Sequence, residues 1–239
     1  MPSAAGHWRS VVNASSRPNA DVCVVIPVFN EARVIADVVQ KVRENYPVVV
    51  CVDDGSTDGS QEAILRSGAR LVRHPVNLGQ GAALQTGIEM GLRLQHVKYF
   101  LTFDADGQHD IDDVESLLDP LRRGSAKIVF GSRFLDSRTH VGRAKRVVLA
   151  LAIRYTTASS GLSLTDTHNG LRAFTREVAE AIDIQLNGMA HASEIISLVA
   201  DRKFPYAEAP VHIRYTDYSR SKGQPLMNGV NILFDLIFR

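Results

Sequence analysis

An α/β fold with a mostly parallel central sheet flanked by helices is predicted by three observations. Apolar runs of strand length alternate with amphipathic helical patterns through the first half of the chain. Three of those runs, closing at Val28-Phe29, Val52 and Phe103, stop abruptly in polar or acidic residues. Pro47 and Pro75 punctuate the alternation. In an open parallel sheet, ligands bind in the crevice at the carboxyl ends of strands, so three polar strand ends read as one site.

The first strand is expected at 22–28, where Val22-Cys23-Val24-Val25-Ile26-Pro27-Val28 is an unbroken apolar run. A helical pattern follows at 31–45. Val48-Val49-Val50-Cys51-Val52 predicts the second strand, 48–53, and its β-branched residues suit a pleated sheet. The next helix is expected at 58–67, with Asp58 as N-cap offering a side-chain oxygen to free amide groups. A short strand at 70–73 precedes the break at Pro75. Then come a helix at 79–95, a strand at 98–103, a helix at 111–122 and a strand at 126–131. In the second half, 143–160 reads as a helix with a basic start, 171–175 as a short strand, 190–202 as a helix and 209–215 as a strand. Within 226–239, Leu226, Met227, Val230, Leu233, Ile237 and Phe238 form an apolar stripe at helical spacing.

A chain of 239 residues with 45% hydrophobic residues supports one substantial core, and one domain is the expectation. The net charge of +1 gives no reason to expect a nucleic-acid partner. Cys23 and Cys51 both fall inside apolar strand patterns. They read as small packed hydrophobes in a reducing compartment, and no spacing supports a metal cluster. Residues 1–20, rich in Ser, Ala, Asn and Pro, read as a mobile tail without a secretory signal. Asn13-Ala14-Ser15 fits a glycosylation sequon, a triplet that also arises by chance. No run of about 18 apolar residues suggests a spanning helix. The expected location is therefore cytoplasmic.

Chemistry concentrates in Tyr99-Phe100-Leu101-Thr102-Phe103-Asp104-Ala105-Asp106-Gly107-Gln108-His109. A strand that delivers two acids to its carboxyl end offers hard oxygen ligands to a divalent cation, and such a cation can neutralise a diphosphate. The plainer reading is a solvated turn, since Asp and Gly are turn formers. Oxygen-only ligation suits Mg2+ or Mn2+, whereas zinc prefers Cys and His. His109 accordingly reads as a turn residue or an outer neighbour of the cation. Asn77-Leu78-Gly79-Gln80-Gly81 opens a helix. Its glycines either let the backbone approach an anionic ligand or simply make a tight turn.

Together the motifs resemble the family 2 inverting glycosyltransferases, and within them the branch typified by dolichyl-phosphate mannosyltransferase. The resemblance lies in Pro27-Val28-Phe29-Asn30-Glu31, Val52-Asp53-Asp54-Gly55-Ser56-Thr57-Asp58, Asn77-Leu78-Gly79-Gln80-Gly81-Ala82-Ala83 and Asp104-Ala105-Asp106-Gly107-Gln108. It continues through Gly131-Ser132-Arg133-Phe134, Asp166-Thr167-His168-Asn169-Gly170-Leu171-Arg172-Ala173-Phe174 and Ser221-Lys222. It implies a GT-A-type nucleotide-diphospho-sugar transferase fold, with a catalytic domain over 21–222 and a C-terminal amphipathic helix over 223–239. It also implies that Asp106 and Gln108 ligate Mg2+ or Mn2+, while Asp104 holds the ribose or an outer-shell water. Pro27, Phe29, Glu31, Val52, Asp54, Gly81, Asp104 and Ala105 become nucleotide-binding residues. Asp54 faces the base, where a carboxylate accepts from uracil or from guanine. Asp53 is the structural partner. Phe29 replaces a Tyr often seen in relatives, so a hydroxyl contact is lost.

Arg133 follows a strand and so shares an edge with the acids. With Arg172, Arg220 and Lys222 it is expected to clamp a leaving diphosphate or an acceptor phosphate. Arg143, Lys145 and Arg146 read either as an anion-facing cluster or as a solvated helix start. Transfer to a hydroxyl requires a general base, whereas a phosphate acceptor is already an anionic nucleophile. Gly188-Met189-Ala190-His191-Ala192-Ser193-Glu194 lacks the Glu-Asp pair of many hydroxyl-using relatives. A polyprenyl phosphate acceptor in cell-envelope glycan or glycolipid synthesis is thus favoured. The alternatives are a sugar-hydroxyl acceptor with Glu194 as base and a non-catalytic nucleotide-sugar-binding module. His191 reads as a helix-surface residue. A nucleotidyltransferase would carry a Gly-rich basic loop after the first strand, and that loop is absent. Ser219-Arg220-Ser221-Lys222-Gly223-Gln224 departs from the Gly-Glu-Ser-Lys-Leu-like run of mannosyltransferases. A lipid acceptor implies peripheral contact with the cytoplasmic membrane through 226–239, or a membrane partner protein. The same stripe would alternatively pack on the core or in a homodimer.

Overall fold

The computed structural model describes residues 17–136, 138, 149, 153–154, 156–157, 160–167, 169–186 and 190–214. Seven strands form one sheet: β1 (Val22–Val28), β2 (Val48–Asp53), β3 (Arg70–Arg73), β4 (Tyr99–Thr102), β5 (Ile128–Ser132), β6 (Arg172–Thr175) and β7 (Tyr206–Pro210). Among the described residues the helices are α1 (Ile35–Asn45), α2 (Ser60–Ser67), α3 (Gln80–Leu92), α4 (Val114–Arg122), α5 (Arg176–Ala181) and α6 (Ala190–Arg202), with a 3-10 turn at Ile111–Asp113. Strand order is β3-β2-β1-β4-β6-β5-β7. All pairings are parallel except those of β6, which runs antiparallel to both β4 and β5.

Alternation along the strands sorts side chains into two cores. Val22, Val24, Ile26 and Val28 of β1 face one side, packed with Ile35 and Val39 of α1 and Leu117 and Leu118 of α4. Cys23 and Val25 face the other, with Leu84 and Ile88 of α3 and Ile195 and Ile196 of α6. Phe100 and Phe174, cross-strand partners in β4 and β6, stack with centroids 5.8 Å apart. Helix α3 lies unusually close to the sheet. A Cβ on Gly87 would collide with the Val25 side chain, and one on Gly91 would stand 2.5 Å from the Phe100 ring.

The first three strands match their expected bounds, and three differences elsewhere have physical causes. Helix α1 starts at Ile35 instead of residue 31, because Asn30 is left-handed at φ +55°. The amides of Glu31 and Ala32 are then taken by Ser60 Oγ (2.8 Å) and Asp58 Oδ2 (3.0 Å). Asp58 also accepts from Ser60 N at 3.0 Å, so its carboxylate serves the start of α2 as well. Helix α3 stops at Leu92, where the Arg176 guanidinium gathers the carbonyls of Leu92 (2.6 Å), Leu94 and Val97 (both 3.1 Å). The strand expected at 209–215 lies instead at Tyr206–Pro210. Beyond it, His212 N turns to Asp113 Oδ2 (2.6 Å) and Arg214 N to Gln108 O (2.8 Å). Only Ile213 keeps a bridge, to His109. Most of the 143–160 helix and all of 215–239, with Arg220, Lys222 and the apolar stripe, lie outside the described residues.

Candidate active site

The carboxyl ends of β2, β1, β4 and β5 share one edge. Because β6 is antiparallel, its first residue, Arg172, lies at that same edge, paired in register with Thr102 and Phe130. The Thr102 hydroxyl donates to Gly170 O at 2.6 Å and seals the junction. Gly170 presses so closely on the Asp104 carboxylate that a Cβ there would collide with it. The acid motif after β4 and the 166–172 motif before β6 are therefore one structure.

Asp104 and Asp106 are handled differently. Asp104 accepts from His109 Nε2 at 2.9 Å and from Gln80 Nε2 at 3.2 Å. Water still reaches 31% of its side chain, although protein packs around it. Burial alone would raise its pKa. The His109 hydrogen bond and charge, with Arg172 and His191 beyond, hold it below the ordinary carboxylate value. Asp106 accepts from Gln108 N at 3.0 Å. Burial, then the charge of Asp104 and more weakly that of Glu31, push its pKa up to about 6 against the pull of Gln108 N–H and His109. A pair of crowded carboxylates, one compensated and one not, is the environment that a divalent cation relieves. The expected ligands, Asp106 and the half-buried Gln108, could offer a cation only oxygen donors. Among the described residues no three His, Cys, Asp or Glu side chains gather as a metal cage. That pattern fits Mg2+ or Mn2+ held by one or two protein groups and completed by substrate phosphates.

Behind the acids lies a buried cationic layer. Arg172 is 2% exposed, and its Nη1 is buried without a hydrogen-bond partner. Burial brings its pKa down to about 10, against the attraction of Asp104 and Asp166. Arg133 is pinned by Asp166, whose Oδ2 accepts from Nε at 2.6 Å and from the backbone N at 3.2 Å. Asp166 is positioned in turn by Glu208 of β7, which accepts from Thr165 N at 2.8 Å and Asp166 N at 3.3 Å. His191, expected on a helix surface, is buried. Its helix packs on the start of α3, so its charge reaches Asp104.

The β1 and β2 ends interlock. Asn30 N donates to Ser56 Oγ (2.9 Å), and Thr57 N returns a bond to Asn30 Oδ1 (3.0 Å). This fixes the 29–31 segment, with Phe29 46% exposed and Glu31 near enough for its charge to bear on Asp106. Pro27 pairs with Val52 in register, and Ala105 is buried. Asp53 is structural as expected, accepting from Ser56 N at 3.0 Å. Asp54 meets His74 Nδ1 (2.7 Å), Leu78 N (2.9 Å) and Gly79 N (2.8 Å), and so anchors the loop before α3. Gly81 is required by packing, since a Cβ there would strike Leu186 O. Glu194 is engaged by the backbone amides of Gln185 (3.0 Å) and Leu186 (2.9 Å).

Sequence reasoning missed His74, Ser56 and Ser60. Ser56 lies inside the 52–58 motif and Ser60 two residues beyond it, but their bonds reach Asn30 and Glu31, 26 and 29 residues away. His74 stands 20 residues from Asp54, a separation no local pattern reveals.

A family model described as Glycosyl transferase family 2 matches residues 23–183. Polyprenol monophosphomannose synthase of Mycolicibacterium smegmatis is 32% identical, over 92% of this chain and 85% of its own. UDP-N-acetylglucosamine–dolichyl-phosphate N-acetylglucosaminyltransferase of Methanococcus voltae is 28% identical, over 90% of this chain and 94% of its own. In fold, the chain resembles glucosyl-3-phosphoglycerate synthase from Mycobacterium tuberculosis, with a TM-score of 0.70 and 19% identity over 95% of this chain and 81% of that one. Another crystal structure of that enzyme contains Mn2+ and UDP-glucose.

Proposed function

Since the chain belongs to glycosyl transferase family 2 and has a GT-A-type fold, we propose that it moves a hexose from a nucleotide-diphospho-sugar to a polyprenyl phosphate, with inversion. A phosphate oxygen of the acceptor attacks the anomeric carbon. The bond from that carbon to the diphosphate breaks, and its electron pair leaves with the nucleoside diphosphate. The observation that carries the reading is the acid pair after β4, in which Asp104 is compensated by His109 and Asp106 has acceptor capacity to spare beside it.

Asp106 and Gln108 are the residues that would hold Mg2+ or Mn2+, and the cation would neutralise charge on the departing diphosphate. Arg133, oriented by Asp166, meets phosphate at the same edge, with Arg172 as the buried charge behind Asp104. Names of relatives support the acceptor class, since two of them act in dolichyl-phosphate or polyprenol glycosylation. Glu194 already serves two backbone amides, which favours an acceptor that needs no base over a sugar hydroxyl. A complete set of leaving-group residues argues against a mere binding module. Among the described residues no helix is long and apolar enough to cross a membrane. A lipid acceptor would then be met from the cytoplasmic face, by peripheral contact or through a membrane partner.

Calorimetry with UDP and GDP, with and without Mn2+, tests the site. Asp106→Ala should reduce the cation-dependent affinity at least about tenfold, the loss of one charged ligand. Unchanged affinity in a folded variant would sink the assignment. Extraction of sugar-labelled polyprenyl phosphate from a reaction with UDP- or GDP-hexoses tests the transfer itself.

A further inference from the structure

Resting on the donor-site reading above, we propose that Asp113 is a positioning residue for the cation site, acting through a tie formed by residues 211–214 that runs from the end of β5 to the acid loop. Each residue of the tie makes its own attachment. Val211 N donates to Ser132 O at 3.0 Å, one residue before Arg133. His212 N donates to Asp113 Oδ2 at 2.6 Å. Ile213 bridges to His109, and Arg214 N donates to Gln108 O at 2.8 Å. The Arg214 guanidinium adds an ion pair with Asp110.

The far end of the tie lands on the residues that handle the two acids. Gln108 is held through its backbone on both sides: its N–H goes to Asp106 Oδ1 at 3.0 Å, and its carbonyl takes Arg214 N. His109, bridged by Ile213, bonds Asp104 through Nε2 at 2.9 Å. Strand β4 ends at Thr102, so the ladder does not shape this loop. Gly107 within it is left-handed at φ +74°, and a glycine has many other conformations open to it. The tie supplies the restraint from outside.

Asp113 fastens the middle of the tie. It lies where the 3-10 turn enters α4, 6% exposed. Two donors converge on its carboxylate, His212 N on Oδ2 and Arg138 Nη1 on Oδ1 at 2.7 Å. A carboxylate accepts from both, whereas an amide in its place would turn an N–H group toward one of them. Val211 and Ile213, on either side of His212, are buried. A slip of one residue would drive His212 and Arg214 into their places, so the tie has one register. It thereby fixes the spacing between Arg133 and the Asp106–Gln108 pair, which meet one diphosphate in the proposed reaction.

The test is Mn2+ titration of the full chain followed by electron paramagnetic resonance, with UDP in one series and GDP in another. Asp113→Asn should weaken Mn2+ binding about tenfold, the loss of one hydrogen bond to a charged group. Arg214→Ala removes an exposed ion pair and keeps the backbone bond, so it should weaken Mn2+ about twofold. Nucleotide binding without the cation should stay at the wild-type level in both. Arg176→Ala, which uncaps α3 at the opposite edge of the sheet, should lower the melting temperature and leave Mn2+ affinity unchanged. Wild-type Mn2+ affinity in folded Asp113→Asn and Arg214→Ala would overturn the inference and leave the donor site standing. A loss of the same size in Arg176→Ala would also overturn it, since the effect would then be general loosening. If Asp113→Asn does not fold, Arg214→Ala decides. No Mn2+ binding by the wild type with either nucleotide would overturn the donor-site reading and this inference with it.

Discussion

Arg133 is held on one side by Asp166, so the role proposed for it depends on that neighbour. Arg133→Ala should lower kcat at least about tenfold and change KM much less, as expected for a contact strongest in the transition state. Asp166→Asn keeps the shape but removes the charge and should reproduce part of that kcat loss. Steady-state kinetics on variants of matched melting temperature separate this from simple destabilisation. The two thiols make a different point. Burial pushes Cys23 up to about 12 and Cys51 higher still, against the weaker pull of Arg70 and Arg43. Unfolded thiols ionise near pH ~8.5. Above that pH the unfolded chain sheds protons that the folded one keeps. Their contribution is therefore fully present below the unfolded pKa and is lost as pH rises toward 12. Urea midpoints should fall between pH 8 and 10.5, less steeply in Cys23→Ala, and native protein should not react with Ellman's reagent. Single residues were legible where a strand end announced them, as with Asp104, Asp106 and Arg133. The partner relations were not, because His74–Asp54 and Arg133–Asp166 are contacts between distant segments.

Elements were read best where the chain is apolar on both faces. Strands β1 and β2 have no polar side to confuse the pattern, and their bounds follow from the sequence. The strand expected at 209–215 failed for a definite reason. Val211 and Ile213 are buried and alternate like a strand, but the polar residues between and after them bond to the acid loop instead of the sheet. Helix α3 shows how composition sets distance. Gly87 and Gly91 lie four residues apart, on one face, and lower the helix onto Val25 and Phe100. Gly87→Val should therefore overpack this seam and cost about 1–3 kcal/mol in urea unfolding. A fully tolerated valine would mean that α3 can lift from the sheet without loss.

For the whole molecule, the proposed lipid acceptor implies contact with a membrane surface. Flotation on anionic liposomes should distinguish the full chain from one ending at Gln224, with only the full chain floating if 226–239 lies in the interface. If neither floats while both stay folded, delivery falls to a partner. The fold class was readable because strand–helix alternation is local, whereas the antiparallel insertion of β6 was not, because it joins segments about seventy residues apart.

That insertion has a consequence for how the protein comes into being. Residues 22–109 bring the acids and the loops around Asp54, and they emerge from the ribosome first. Thr102 must then wait for Gly170, 68 residues later in the chain, before the two can bond. Loops of that length close late, since their entropy is lost before any long-range contact forms. Until Arg172 arrives, His109 and Gln80 alone answer the charge of Asp104, so the junction between β4 and β6 is completed only after the acid motif has been made.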